Sequence, residues 1–347
     1  MKLKQWKKLM ALLLVVAMAG IMAGCGSNSG DANGNTDSDD GAAGSETVET
    51  EGADEGDAAG GDTTAADISI AVNLKTLNSE YWGNVKAGCD KAAEELGIEV
   101  TVSGPDAESE IAQQVTQIGD QLAQDISAII VAPCDADAVA GALQSASGKI
   151  PVLFIDQDVD FEGKTSFVGT SNVDAAKKGG QYVGETIGKD AKVVIIYGQE
   201  GESTSNARTQ GYKEGLAEYD IEPMAEISGK NVSDTAKAAM EDLLTRFNND
   251  IDAVLCMNDD TAIGALSACQ DAGVADKIKI IGFDGNKSAV ELVDSGDLTA
   301  TIAQQPELMG YTAVMNAYKA IQGETVEESI PVDTIFIDKD NAAEYMK

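Results

Sequence analysis

From Asp67 onward, short apolar runs rich in β-branched residues alternate with amphipathic stretches of helical period. That alternation constrains the fold more than any other feature of the chain. A run such as Ala128-Ile-Ile-Val131 has no polar face, so it belongs to a strand covered on both sides. The spacing predicts strands over 68–74, 100–103, 128–131 and 152–155, separated by helices over 81–96, 108–124 and 138–147. In the first of these helices Tyr81, Val85, Cys89, Ala92 and Leu96 share one side. A second set begins after Val168, with helices over 173–187, 205–219, 233–248, 261–272 and 287–295. Its strands lie over 191–196, 222–227, 253–256, 278–283 and 298–303. A helix over 307–321 and two short strands close the chain. Strand–helix alternation of this kind specifies an α/β architecture of doubly wound parallel sheets. Two sets of similar length predict two lobes.

The first 66 residues stand apart from this pattern. Lys2, Lys4, Lys7 and Lys8 precede an apolar run over 9–22, and Met22-Ala-Gly-Cys25 ends it. A basic head, an apolar stretch of about 14 residues and small residues before a cleavage point read as a secretory signal over 1–24. The run is shorter than the roughly 20 residues a membrane span needs. Cys25 directly after Ala-Gly resembles a bacterial lipobox, with Met22 where Leu is commoner, and implies lipidation of Cys25 at the outer face of the plasma membrane. Residues 26–66 hold eleven acids and no Lys or Arg. Such a segment cannot bury enough apolar surface to offset its ordering entropy, so 25–66 reads as a lipidated cysteine and a disordered tether. As a Gly-rich coil it spans roughly 35 Å.

Charge and composition remove several functions. Without the four lysines of the signal, 20 basic residues face 59 acidic ones, a net charge of −39. Nucleic acid and anionic lipid surfaces are poor partners for such a chain. A DNA-binding repressor would carry a basic helix-turn-helix where this chain has its signal and acidic tether. Histidine is absent, which excludes Ser-His-Asp and Cys-His catalysis and His-containing zinc sites. No GxGxxG follows a strand and no GxxxxGK[ST] occurs, so neither an enzyme nor a cofactor is expected. Cys89, Cys134, Cys256 and Cys269 each lie in an apolar element at spacings that fit no CxxC pair or zinc cluster, and are expected as free buried thiols. Asp156, Asp158 and Asp160 have the spacing of a calcium loop, but its twelfth position is Phe167 rather than Glu, so no metal is expected.

The polar residues that matter sit where apolar runs stop. Asp284 ends the 278–283 run, and Gln304 ends the 298–303 run just before Pro306, which suits the first turn of a helix. Open α/β sheets bind ligands at that end of their strands. Asp156-Gln157 and Asn258 end two further runs. Asn78, Tyr81 and Trp82 lie between the first strand and helix; Trp82 is the one Trp after the signal. An aromatic plane beside charged acceptors matches a sugar, with its apolar face and hydroxyl rim. Burial of Tyr81 and Trp82 in the lobe is the other reading. Ser203 or Thr204 is expected to cap the helix that carries Arg208, one of two arginines in the molecule. Arg208 either faces a solute or braces its loop.

The stretch GFDG…ATIAQQP, with TSNAR around Arg208 and MND around Asn258, resembles the ribose-binding-protein family, the type I periplasmic binding proteins that receive sugars for ABC importers. The resemblance covers about 67–347. It implies two lobes, 67–170 plus 305–333 and 171–304 plus 334–347, joined by three hinge crossings near Thr170-Ser171, Gln304-Gln305 and Asp333-Thr334. It implies solute contacts from Asn258, Asp284 and Gln304. Asn258 or Asp259 merely capping the following helix is the other reading, and both hold together if Asn258 faces the cleft and Asp259 caps. Gln157, Gln210 and Asn231 stand where ribose binders carry Arg, Arg and Phe. Those departures argue against ribose itself and leave another pentose, a hexose, a polyol or a small signalling carbohydrate. The implied partners are a small sugar or polyol, the membrane permease of an ABC importer, and the membrane through lipidated Cys25; the protein is expected to act as a monomer. A tethered sensor that presents solute to a receptor kinase is the alternative.

Overall fold

The computed structural model describes residues 67–346; the signal, Cys25 and the tether lie outside the described residues. The first lobe opens with β1 (Ser69–Asn73), α1 (Glu80–Leu96), β2 (Glu99–Ser103), α2 (Ile111–Leu122), β3 (Ala128–Val131), α3 (Ala136–Leu143), β4 (Val152–Ile155) and β5 (Lys164–Gly169). The chain then enters a second unit through α4 (Asn172–Ile187), β6 (Val193–Tyr197), α5 (Ser203–Ala217), β7 (Ala225–Ser228), α6 (Ser233–Arg246), β8 (Ala253–Cys256) and α7 (Asp259–Asp271). It continues through β9 (Lys279–Asp284), α8 (Lys287–Ser295) and β10 (Ala300–Ala303). After β10, α9 (Pro306–Ile321) and β11 (Ser329–Pro331) return to the first lobe. The chain ends with β12 (Ile335–Asp338) and α10 (Ala342–Tyr345) in the second lobe.

Each lobe is a six-stranded sheet, in the orders β11-β5-β4-β3-β1-β2 and β12-β10-β9-β8-β6-β7. Every pairing is parallel except β10 with β12. Helices cover both faces, which is why the strands are apolar throughout. Ile70, Val72, Ala128 and Ile130 pack on one side with α1 and α9, while Ala71, Ile129 and Val131 pack on the other with Ile118, Val139 and Leu143. The second sheet repeats the arrangement, with Val194 and Ile196 on one face and Val193 and Ile195 on the other.

Two elements escape the apolar pattern. β5, Lys-Thr-Ser-Phe-Val-Gly, is half polar, yet it pairs with β4 and β11. The four-residue α10 is too short to show a helical period. The cysteines also need one correction. Cys89, Cys256 and Cys269 are buried free thiols, but Cys134 is half-buried in the loop after β3.

Candidate functional site

The carboxyl ends of both sheets face one cavity of about 460 Å³, within the usual range for small-molecule sites. Ser79 caps α1 by accepting from the Trp82 N–H, which fixes Tyr81 and Trp82 in the first helical turn. The two rings meet edge to face at 4.9 Å. Each ring is buried in the first lobe's core and each also lines the cavity. Tyr81 donates its hydroxyl to Asp156 Oδ1 at 2.9 Å, and Trp82 Nε1 donates to Glu108 at 2.8 Å.

Asp156 follows β4 at φ 68°, and Asp284 closes β9 at φ 124°. Non-glycine residues held there carry backbone strain, and such strain gathers at sites where geometry matters more than stability. The two acids come from opposite lobes and are both buried. Gln304 Nε2 donates to Asp284 Oδ1 at 2.8 Å, and Arg208 lies 3.4 Å from the same oxygen. Burial pushes the Asp284 carboxyl well above the usual carboxylate range, with Arg208 opposing it.

Arg208 both braces and lines. Its guanidinium stacks 3.7 Å over Phe283 and donates to Asn172 Oδ1 and to the Met257 carbonyl, while its edge borders the cavity. The helix that carries it has Glu202 at its N-cap without a side-chain bond, so neither Ser203 nor Thr204 caps it. Asn258 keeps its expected place on the cavity and also takes the cap, while Asp259 does neither. Asn258 is the N-cap of α7, accepting from the Thr261 N–H, and it also lines the cavity. Asp259 is wholly buried behind it, accepting from Thr301 Oγ1 and the Asn286 N–H, both at 2.7 Å. Burial raises its carboxyl to about 7.

Asn78 sits at the rim, donating to the Asp106 carbonyl. Gln157 is buried at the back, accepting from Lys75 and Thr204. Gln210 is not in the cavity. It is exposed on the far side of α5 and bonded to Glu214, because two residues of α-helix turn the side chain about 200° from Arg208.

The cavity residues beyond those expected include Lys75, Glu108 and Glu202. Lys75, just past β1, supplies a cation where Gln157 carries none. Its Nζ is 2.5 Å from Glu202 and 3.6 Å from Asp156. Burial alone would lower the Lys75 pKa, but Glu202 and Asp156 outweigh it and hold the ammonium charged. Burial likewise opposes ionisation of Glu202, yet Lys75 keeps it below the ordinary glutamate value. Lys75 ends an apolar run just as Asp284 does, so the strand-end rule applied to β1 would have found it. Glu108 and Glu202 lie in polar loops and give no such signal.

Several contacts cross between the lobes. Besides Lys75–Glu202, Asn231 Nδ2 donates across the seam to Glu108 at 2.8 Å, and within its own lobe to Glu202 at 3.1 Å. Asn231 adopts φ 60°, and its side-chain Oδ1 packs against Gly198, where a Cβ would come within 2.1 Å. Thr204 reaches Gln157, and the Lys287 N–H at the start of α8 donates to Glu80 in α1. The lobes are closed on one another.

Comparison with known proteins agrees with this geometry. The profile of the periplasmic binding protein domain matches residues 70–325. The ribose import binding protein RbsB of Haemophilus influenzae is 32% identical over 272 residues, which cover 78% of this chain and 91% of that protein. An ABC transporter periplasmic solute binding protein from Actinobacillus succinogenes, solved with bound D-allose, superposes with a TM-score of 0.76 at 30% identity, over 80% of this chain and 100% of that one. The Caulobacter myo-inositol binding protein, bound to myo-inositol, gives 0.75 at 28% identity over 80% and 95% of the two chains.

Proposed function

The chain belongs to the periplasmic binding protein family of sugar-binding ABC-transporter receptors, and from that membership we propose that it captures a monosaccharide or small polyol between its lobes and delivers it to an ABC permease. In this reading, lipidated Cys25 and the tether over 26–66 hold the body at the outer face of the membrane, and a Cys25→Ser variant should leave the membrane fraction.

One observation carries the proposal: strained, buried Asp156 and Asp284 approach a single cavity from opposite lobes, beside Tyr81 and Trp82. Carboxylates at that position accept from ring hydroxyls, Arg208 and Asn258 add donors, and the aromatic pair covers an apolar sugar face. Hydrogen bonds to charged groups contribute about 1.5–3 kcal/mol each. A few of them reach the roughly −8 kcal/mol of a micromolar complex after closure is subtracted.

A thermal-shift screen over pentoses, hexoses and polyols tests it. A bound solute at about 100 times its Kd stabilises the body by about 2.7 kcal/mol. Asp284→Ala should abolish the shift while the protein still unfolds cooperatively. A solute shift that survives in Asp284→Ala removes this residue from the site.

A further inference from the structure

The cavity is unusual in its charge. Six acidic side chains and three basic ones line it. Lys75 is committed to Glu202 and Asp156, and Arg208 to Asp284. The hydrogen bonds to Glu108 come from neutral donors, Trp82 Nε1 on one oxygen and Asn231 Nδ2 on the other; burial raises its carboxyl and the Lys75 charge opposes that shift. Asp260, half-buried at the start of α7, has no cation within 4.0 Å among the described residues. A neutral sugar brings no direct counter-charge to either acid in a closed cleft. A carboxylate buried without a counter-charge is among the costlier arrangements in a protein interior.

A second observation points the same way. Gln304 is 6% exposed and lines the cavity, and its Oε1 has no hydrogen-bond partner. Its Nε2 donates to Asp284 Oδ1, which leaves Oε1 as an open acceptor on the cavity wall. The Lys75 ammonium is already surrounded by acceptors of the protein itself, Glu202 at 2.5 Å, Gln157 Oε1 at 3.3 Å and Asp156 at 3.6 Å. The walls therefore offer acceptors in excess of donors. The complementary ligand group is one that only donates and carries positive charge, which is the definition of an ammonium.

We propose that the solute is an amino sugar or amino polyol, a hydroxylated ring or chain bearing a protonated amine that pairs with Glu108. This inference rests on the solute-capture reading above and narrows its substrate class. The hydroxyls occupy Asp156, Asp284 and Gln304, and the amine lies toward the Glu108–Asp260 side of the cavity.

Calorimetry at pH 7 decides it with D-glucosamine, D-galactosamine and D-mannosamine, each against its parent hexose and its N-acetyl derivative, with D-ribose and myo-inositol alongside. The N-acetyl forms keep the ring and remove the charge. At least one free amine should bind tenfold or more tightly than both its parent and its N-acetyl form. Glu108→Gln, isosteric and uncharged, should shrink that ratio toward one. Neutral sugars or polyols that bind while no amine gains over its parent would overturn the inference and leave solute capture standing. An amine preference unchanged in Glu108→Gln would overturn the assignment to Glu108. Absence of binding by every member of the panel would overturn both this inference and the solute-capture reading.

Discussion

Two acids at strand ends are held in conformations their backbone disfavours, and this is the clearest residue-level mark of function. Asp156 at φ 68° loses roughly 1–3 kcal/mol to strain that glycine would not feel. Asp156→Gly should therefore leave the melting temperature of the solute-free protein unchanged or higher, since Lys75 keeps Glu202 as its partner. Solute affinity should fall at least tenfold by calorimetry. A drop in melting temperature would show that the Tyr81 and Lys75 contacts outweigh the strain. Asp259 makes a pH prediction. Its buried carboxyl holds a proton up to about pH 7, whereas an unfolded aspartate releases it near 4. The folded state then binds the extra proton between those values, so stability falls as pH rises from about 4 to 7. Urea titrations at pH 5, 6 and 7 should show that decline, and Asp259→Asn should lessen it, with buried Asp284 contributing the remainder in the same direction. Stability that rises across the interval would contradict the assignment. At this scale Asp284, Gln304 and Asn258 were legible in the sequence, because a polar residue ending an apolar run has few places to be. Lys75 obeyed the same rule and was overlooked. Gln210 was misplaced because matching a motif position ignores helical phase. Glu108 and Glu202 could not be read, since loop acids are common in a chain with 59 acidic residues.

The elements were legible wherever burial on both faces made a strand wholly apolar, as in β3, β4 and β8. β5 was not, because the strand holding the sheet near its edge needs only part of its residues inside. What no periodicity could show is how closely helices approach. α1 and α9 are more than 200 residues apart in sequence and pack backbone against backbone. A Cβ on Gly88 would lie 1.9 Å from the Glu307 carbonyl oxygen, and one on Gly310 would lie 2.1 Å from that of Val85. Both obstacles are main chain, which cannot rotate aside. Gly88→Ala should destabilise the body by about 1–3 kcal/mol through overpacking. At about 2–4 °C per kcal/mol the melting temperature should drop several degrees. Calorimetric melting measures it directly. An unchanged value would mean that α9 slides along α1 without penalty. Because α9 follows β10 of the other lobe, this packing also anchors one of the chain crossings, and a variant that loosens it should raise Kd for solute as well.

At the scale of the whole molecule, the cross-lobe contacts explain how closure can be firm and still reversible. Each charged group at the seam keeps a partner in its own lobe. Lys75 has Asp156 and Gln157, Glu202 has Asn231, and Glu108 has Trp82. Opening therefore breaks Lys75–Glu202 and Asn231–Glu108 without stranding any charge in an apolar interior. Breaking a buried pair by deleting one partner ordinarily costs about 3–5 kcal/mol; a seam with fallback partners should lie below that, in the range where solute binding can tip the balance. Glu202→Gln isolates the effect, because it removes the cross-lobe charge and keeps the shape. The variant should bind solute about 10–100-fold more weakly, equivalent to about 1.4–2.8 kcal/mol, while melting of the solute-free protein shifts little. Small-angle scattering should show a larger radius of gyration for the solute-free variant than for the parent. Since the pair is buried, the parent's affinity should change little between low and moderate salt, unlike an exposed pair. Parent-like affinity together with a parent-like radius of gyration in Glu202→Gln would mean that the Lys75–Glu202 pair does not contribute to closure, and that hinge geometry and solute contacts alone set the equilibrium.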